Sequence, residues 1–154
     1  MTLRRFGRLG AIGTFMVALT AAVTLAQQNP ADEARLKKLD AGPKIIDVAQ
    51  YPAEQQKAYK LFEAKCVTCH ALARGINTEM VIPADWERYI KRMMYKPNSG
   101  ISSTEARTLF RFLIYDASVR KTDLLRKAMA GLPAADRTAA IARVKEVNPG
   151  FVAP

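Results

Sequence analysis

Cys66-Val67-Thr68-Cys69-His70 is the stretch that most limits what this chain can fold into. It gathers both cysteines and the single histidine of a 154-residue sequence into five consecutive positions. C-x-x-C-H is the attachment sequence of c-type haem. On a helix, residues three and four apart share a face, so Cys66, Cys69 and His70 are expected to point together. Two thioethers then hold the porphyrin edge while the His70 imidazole reaches the iron as proximal ligand. Other uses of these residue types fit less well. A structural zinc site takes four Cys or His ligands, and this chain owns three. A thioredoxin-type C-x-x-C needs a βαβ pattern around it, and nothing strand-like flanks this one. A structural disulfide leaves the adjacent histidine without a purpose.

The N-terminus reads as an export signal. Arg4, Arg5 and Arg8 precede an uncharged apolar run from Leu9 to Leu25, and Thr24-Leu25-Ala26 offers small residues where a signal peptidase cuts. The run is at the short limit for crossing a bilayer, so an uncleaved anchor is the alternative. Arg4-Arg5 also hints at twin-arginine export. That route carries folded proteins, whereas this haem is joined to an unfolded chain already across the bacterial inner membrane, so the ordinary secretory route and a periplasmic location are expected. Without residues 1–26 the chain keeps 128 residues, enough for one domain. Its formal charge falls from +10 to +7, because three arginines lie in the leader. Such a surface suits an acidic protein partner or anionic lipid headgroups. Nucleic acid is not expected as a partner outside the cytoplasm.

No segment alternates as a half-buried strand does, and no repeat is evident, which points to an all-α fold. Residues 27–43 are charged and end in Ala41-Gly42-Pro43, as a linker would, with a weak helix from Asp32 to Leu39 inside it. A helix is predicted to start at Tyr51-Pro52, its apolar face formed by Ala58, Tyr59, Phe62 and Cys66. Residues 71–77 carry few structural signals and read as a loop. Within it Arg74 is a candidate to pair with a haem propionate, the alternative being a solvated side chain. Pro83-Ala84-Asp85 opens a second helix reaching about Tyr95, with Trp86, Tyr89, Ile90, Met93 and Met94 on its apolar stripe. Ser102 and Glu105 form a capping box for a third helix, in which Ala106, Leu109, Phe110, Leu113, Ile114 and Ala117 recur at helical spacing. Thr122–Ala130 and Ala134–Val147 read as shorter helices that either pack behind the haem domain or dock on a partner.

With no second histidine, bis-histidine ligation within the chain is excluded and methionine is the natural sixth ligand. Met80 and Met129 are outlying candidates. Met93 and Met94 share a helix with Trp86, and periodicity separates them only slightly. The absence of a second histidine also disfavours a peroxidase-type enzyme, which needs a distal acid–base residue.

From about Lys44 to Lys121 the chain resembles a family of monohaem class I-like cytochromes c related to the cytochrome subunit of green sulfur bacterial reaction centres. The matching stretches are Asp47–Pro52, Tyr59–Arg74, Trp86–Met93, Lys96–Ser102 and Phe112–Asp116. The resemblance implies three core helices around one covalent haem, with additional C-terminal helices here, and single-electron transfer between redox proteins. It also implies Met93 as sixth ligand. The chain departs from the family in lacking several membrane spans before the haem domain, so a photosynthetic role is not implied. The Gly-Pro that often follows C-x-x-C-H in ordinary class I cytochromes, where its carbonyl steadies the proximal histidine, is also missing; Ile82-Pro83 is the candidate substitute. The expected layout is a signal or anchor at 1–26, a linker at 27–43, a haem domain at 44–121 and a helical extension at 122–154. An alternative is that the protein serves as the haem subunit of a larger respiratory or dehydrogenase complex, docked through 122–147.

Overall fold

The computed structural model describes residues 29–154, so the expected signal or anchor at 1–26 lies outside the described residues. Those described residues form seven α-helices and no strand, an all-α fold. None of the helices is long and apolar enough to cross a membrane.

The central element is α5, Ser103–Arg120, and its start was written in the sequence. The Ser102 hydroxyl accepts from the Glu105 N–H at 3.2 Å, and the Glu105 carboxylate accepts from the Ser102 N–H at 2.8 Å. Each bond satisfies a donor that the first helical turn leaves unpaired. Two helices pack across α5: α2, Ala53–Cys66, and α4, Pro83–Met94. Between α2 and α5 the rings of Tyr59, Phe62 and Phe112 meet with centroids 5.5 to 6.2 Å apart. Each such fully buried ring contributes about 1.5–3 kcal/mol relative to exposure. Proline at the first position of α4 starts that helix, because its missing N–H has no intrahelical partner to lose. Trp86 and Ile90 then turn inward onto α5.

Polar ties join the termini of these helices. Asp116, buried near the end of α5, accepts from Tyr51 Oη at 2.9 Å and from Arg120 Nε at 2.8 Å. Arg120 also donates to the Ile76 carbonyl, and Lys121 Nζ donates to the Thr78 carbonyl at 2.6 Å. These two cations meet the C-terminal carbonyls of a short helix, α3, Leu72–Asn77, where the helix dipole is negative.

That helix replaces the loop expected at 71–77. It has six residues and no side-chain cap, so local signals were weak. Burial of Ala73 and Ile76 holds it in place, a tertiary effect that propensity does not register. The weak helix expected at Asp32–Leu39 is present and slightly longer, as α1, Pro30–Asp40, and it packs on α3. Asn29 caps it by accepting from the Ala31 N–H. The Asn77 amide donates to the carbonyls of Leu39 and Pro43 at 2.9 and 3.0 Å. Gly42 permits this grip, since a Cβ there would lie 2.4 Å from Asn77 Nδ2.

At the other end α5 meets α6, Thr122–Ala130, through Lys121 alone, and α7, Ala134–Lys145, returns across α4, α5 and α6. Leu125, Met129 and Val144 are fully buried in the same core as Phe62 and Phe112. The segment from Thr122 on therefore packs behind the central helices and shares their core.

Candidate cofactor site

The last turn of α2 delivers Cys66 half-buried against the core. The helix stops there, so the rest of the motif does not share the helical face that spacing alone would give it. Val67 to His70 form a turn, closed by the Thr68 hydroxyl donating to the Lys65 carbonyl at 2.8 Å. Cys69 is exposed at the turn and His70 lies half-buried beyond it. The three residues nevertheless line one apolar cleft between α2, α4 and α5, together with Phe62, Trp86, Tyr89, Met93 and Leu109.

The two thiols differ in environment. Burial, with a smaller effect from nearby Cys69, pushes Cys66 up to about 12, so it stays a protonated thiol near neutrality. Both cysteines are free. Among the described residues no group of three His, Cys, Asp or Glu side chains is arranged to hold a metal ion by itself.

The orientation of His70 is informative. Its Nδ1 is 3.0 Å from the Ala71 carbonyl, an acceptor only, so Nδ1 carries the proton and donates. Nε2 is then the lone-pair nitrogen, directed into the cleft, where Tyr89 Oη donates to it at 3.1 Å. Fixing one ring nitrogen on a carbonyl is how a protein sets the tautomer and direction of a ligating histidine. The carbonyl used is that of the next residue, not one near Ile82-Pro83. Ile82 instead accepts from the N–H groups of Asp85 and Trp86, opening α4.

The helix that faces His70 separates its two adjacent methionines. Met93 lines the cleft with His70 and the cysteines, whereas Met94 lines a different groove with Ile90, Phe110 and Arg143. Met129 is fully enclosed beneath α6 and α7. Met80 borders the mouth of the cleft, where Arg35, Arg74, Arg92 and Lys96 also gather beside His70, Trp86, Tyr89 and Met93. Arg74 is already engaged there. Its Nε donates to Asp40 at 3.0 Å and its Nη2 makes a second bond to the same carboxylate. That bidentate pair holds the Asp40 carboxyl below its ordinary value and raises Arg74 above its own.

Trp86 adds a feature that periodicity alone could not reveal. It is 3% exposed, and its indole N–H has no hydrogen-bond partner. A buried donor left unpaired costs roughly 1–3 kcal/mol, and native cores rarely keep one without a reason. Its ring borders both the apolar cleft and the basic mouth. An apolar group with carboxylates at one edge suits this lining: two thiols, an imidazole lone pair and a thioether around an apolar cleft, a buried unpaired N–H beside it, and cations at its mouth. Those are the donor types that a c-type haem uses, so the residues present fit that group.

In comparisons with known proteins, no family model, no curated sequence and no solved structure matches this chain.

Proposed function

We propose that this chain is an exported monohaem c-type cytochrome that carries single electrons between redox proteins. The observation that carries the reading is the meeting of Cys66, Cys69, the His70 Nε2 lone pair and Met93 in one apolar cleft. When bound, the haem iron supplies a one-electron couple whose potential the protein sets through axial ligands, burial and nearby charge. In this reading Cys66 and Cys69 form the thioethers. His70, steadied at Nδ1 by the Ala71 carbonyl, would hold the iron through Nε2 in place of the bond from Tyr89. Met93 would supply the other iron ligand, since Met94 faces another groove.

The Trp86 N–H and, at the mouth, Arg35 and Arg74 would be the groups that meet the propionates. Arg74 serves there while held by Asp40, so its guanidinium stays put when the cleft fills. The helices α2, α4 and α5 correspond to the three core helices of a class I-like cytochrome c fold. The protein works in the periplasm, free or tethered to the inner membrane through residues 1–26. Its redox partners present acidic docking surfaces, and nucleic acid is not among them. No catalytic residue is assigned, because the cleft offers no second histidine as distal acid–base group.

Expression with a c-type maturation system tests the reading. One haem should stay attached after denaturation and be lost in Cys66→Ala with Cys69→Ala. The oxidised protein should show the near-red charge-transfer band of methionine–iron ligation. Met93→Ala should abolish the band and Met94→Ala should keep it. The converse result would refute the ligand assignment, and a chain that leaves no covalent pigment would refute the function.

A further inference from the structure

The helix that covers the cleft turns a basic face outward. Lys91, Arg92, Tyr95 and Lys96 follow one another around the exposed side of α4 and its C-terminal turn, with Arg92 and Lys96 on the edge that borders the mouth of the cleft. Tyr95 stands 73% exposed in their midst. Arg107 on α5 extends the patch across the groove that Met94 and Lys91 line. None of these four cations has a carboxylate partner among the described residues, whereas Arg88 is paired with Asp85 and Arg143 with Glu87. The result is an unneutralised cationic surface with one aromatic ring at its centre, on a chain that carries +7 beyond its leader.

The geometry points to an anionic lipid surface as the partner of this face. Lysine is depleted in protein–protein interfaces, and specific pairing there favours fixed bidentate arginines. Here two of the four cations are lysines without fixed geometry. Headgroups are laterally mobile and ask only for charge. An exposed tyrosine, with an apolar body and a polar tip, is the side chain enriched at headgroup depth. Docked this way, α4 lies against the bilayer and the basic mouth of the cleft opens beside it. Lys91 and Arg107 lie away from that mouth, and Arg92 and Lys96 border it.

Vesicles of phosphatidylglycerol mixed with phosphatidylcholine, compared with phosphatidylcholine alone, test it on the full chain. The N-terminal segment contributes to both, and its three arginines to the difference, so the readout is how each substitution changes the ratio of the two partition coefficients. The ratio should exceed one and collapse at high salt. At roughly fivefold per cation, Lys91→Gln with Lys96→Gln should lower it about 25-fold. Acetylation footprinting on anionic vesicles should find Lys91 and Lys96 protected, with Lys127 and Lys145 on the α6–α7 side still reactive. An equal fall in Lys127→Gln with Lys145→Gln would overturn the proposal in favour of diffuse charge. So would unprotected Lys91 and Lys96. A ratio of one would overturn it too, leaving the patch to an acidic protein.

Discussion

Replacing Trp86 by phenylalanine has opposite consequences depending on whether its indole N–H meets an acceptor when the cleft is filled. Without an acceptor, the donor is a buried liability, and its removal returns about 1–3 kcal/mol. That gain is offset by about 1 kcal/mol for roughly 40 Å² of lost aromatic burial at about 25 cal/mol per Å². The variant would then be as stable as the parent or more so. With a propionate as acceptor, the variant loses a hydrogen bond to a charged group, worth about 1.5–3 kcal/mol, as well as the burial. The sum is a loss of about 2.5–4 kcal/mol, or a fall of roughly 10–16 °C in Tm for a domain of this size. The assay is urea unfolding of the haem-loaded protein followed by far-ultraviolet circular dichroism, which does not depend on the lost tryptophan fluorescence. We expect the loss. A haem-loaded Trp86→Phe protein at least as stable as its parent would refute the assignment of this N–H to the cofactor.

Two further outcomes follow from the packing and the capping box. Leu125 is fully buried in the core shared with α2 and α5, so Leu125→Ala should cost about 2–5 kcal/mol. Haem-site absorbance and helix signal should then unfold together at a lower midpoint; if the haem-site transition stayed put while α6 melted, the shared core would be disproved. Glu105 is held down to about 2, chiefly by the Ser102 N–H and then by Lys65. Its folded value lies below the ordinary 4.5, so the stability it confers is complete above pH 4.5 and disappears as pH falls toward 2. Glu105→Gln should flatten the stability profile in that window, and an unchanged slope would count against the capping box as a charged interaction.

The long amphipathic pieces of this fold were legible because local chemistry and burial agreed. Pro83 opens α4 and Ser102 with Glu105 opens α5, each signal lying within a few residues of the boundary it sets. The misread segments depend on partners far along the chain. The grip of Asn77 on Leu39 and Pro43, and of Asp40 on Arg74, spans more than thirty residues and leaves no periodic trace. The tail's alanine- and lysine-rich texture concealed Leu125, Met129 and Val144, three side chains at the bottom of the core. At the candidate site, the motif pointed to Cys66, Cys69 and His70, and the fold brings the three into one cleft. The wheel left Met93 and Met94 nearly equivalent, and the grooves on either side of α4 distinguish them. Nothing in the sequence indicated that Trp86 would bury a lone donor, or that Tyr89 would face His70.

The contact between Gly42 and Asn77 helps set how closely the first described helix is held to the rest of the body. With position 42 bare, α1 lies folded back against α3, and the chain leaves the body at its flank. A methyl group there would push Asn77 away and release Leu39 and Pro43, leaving the Asp40–Arg74 pair and the packing on α3 to hold the helix of eleven residues. Were those ties lost as well, the helix would add about 16 Å of slack at 1.5 Å per residue. One absent carbon thus keeps one of the ties that shorten the leash.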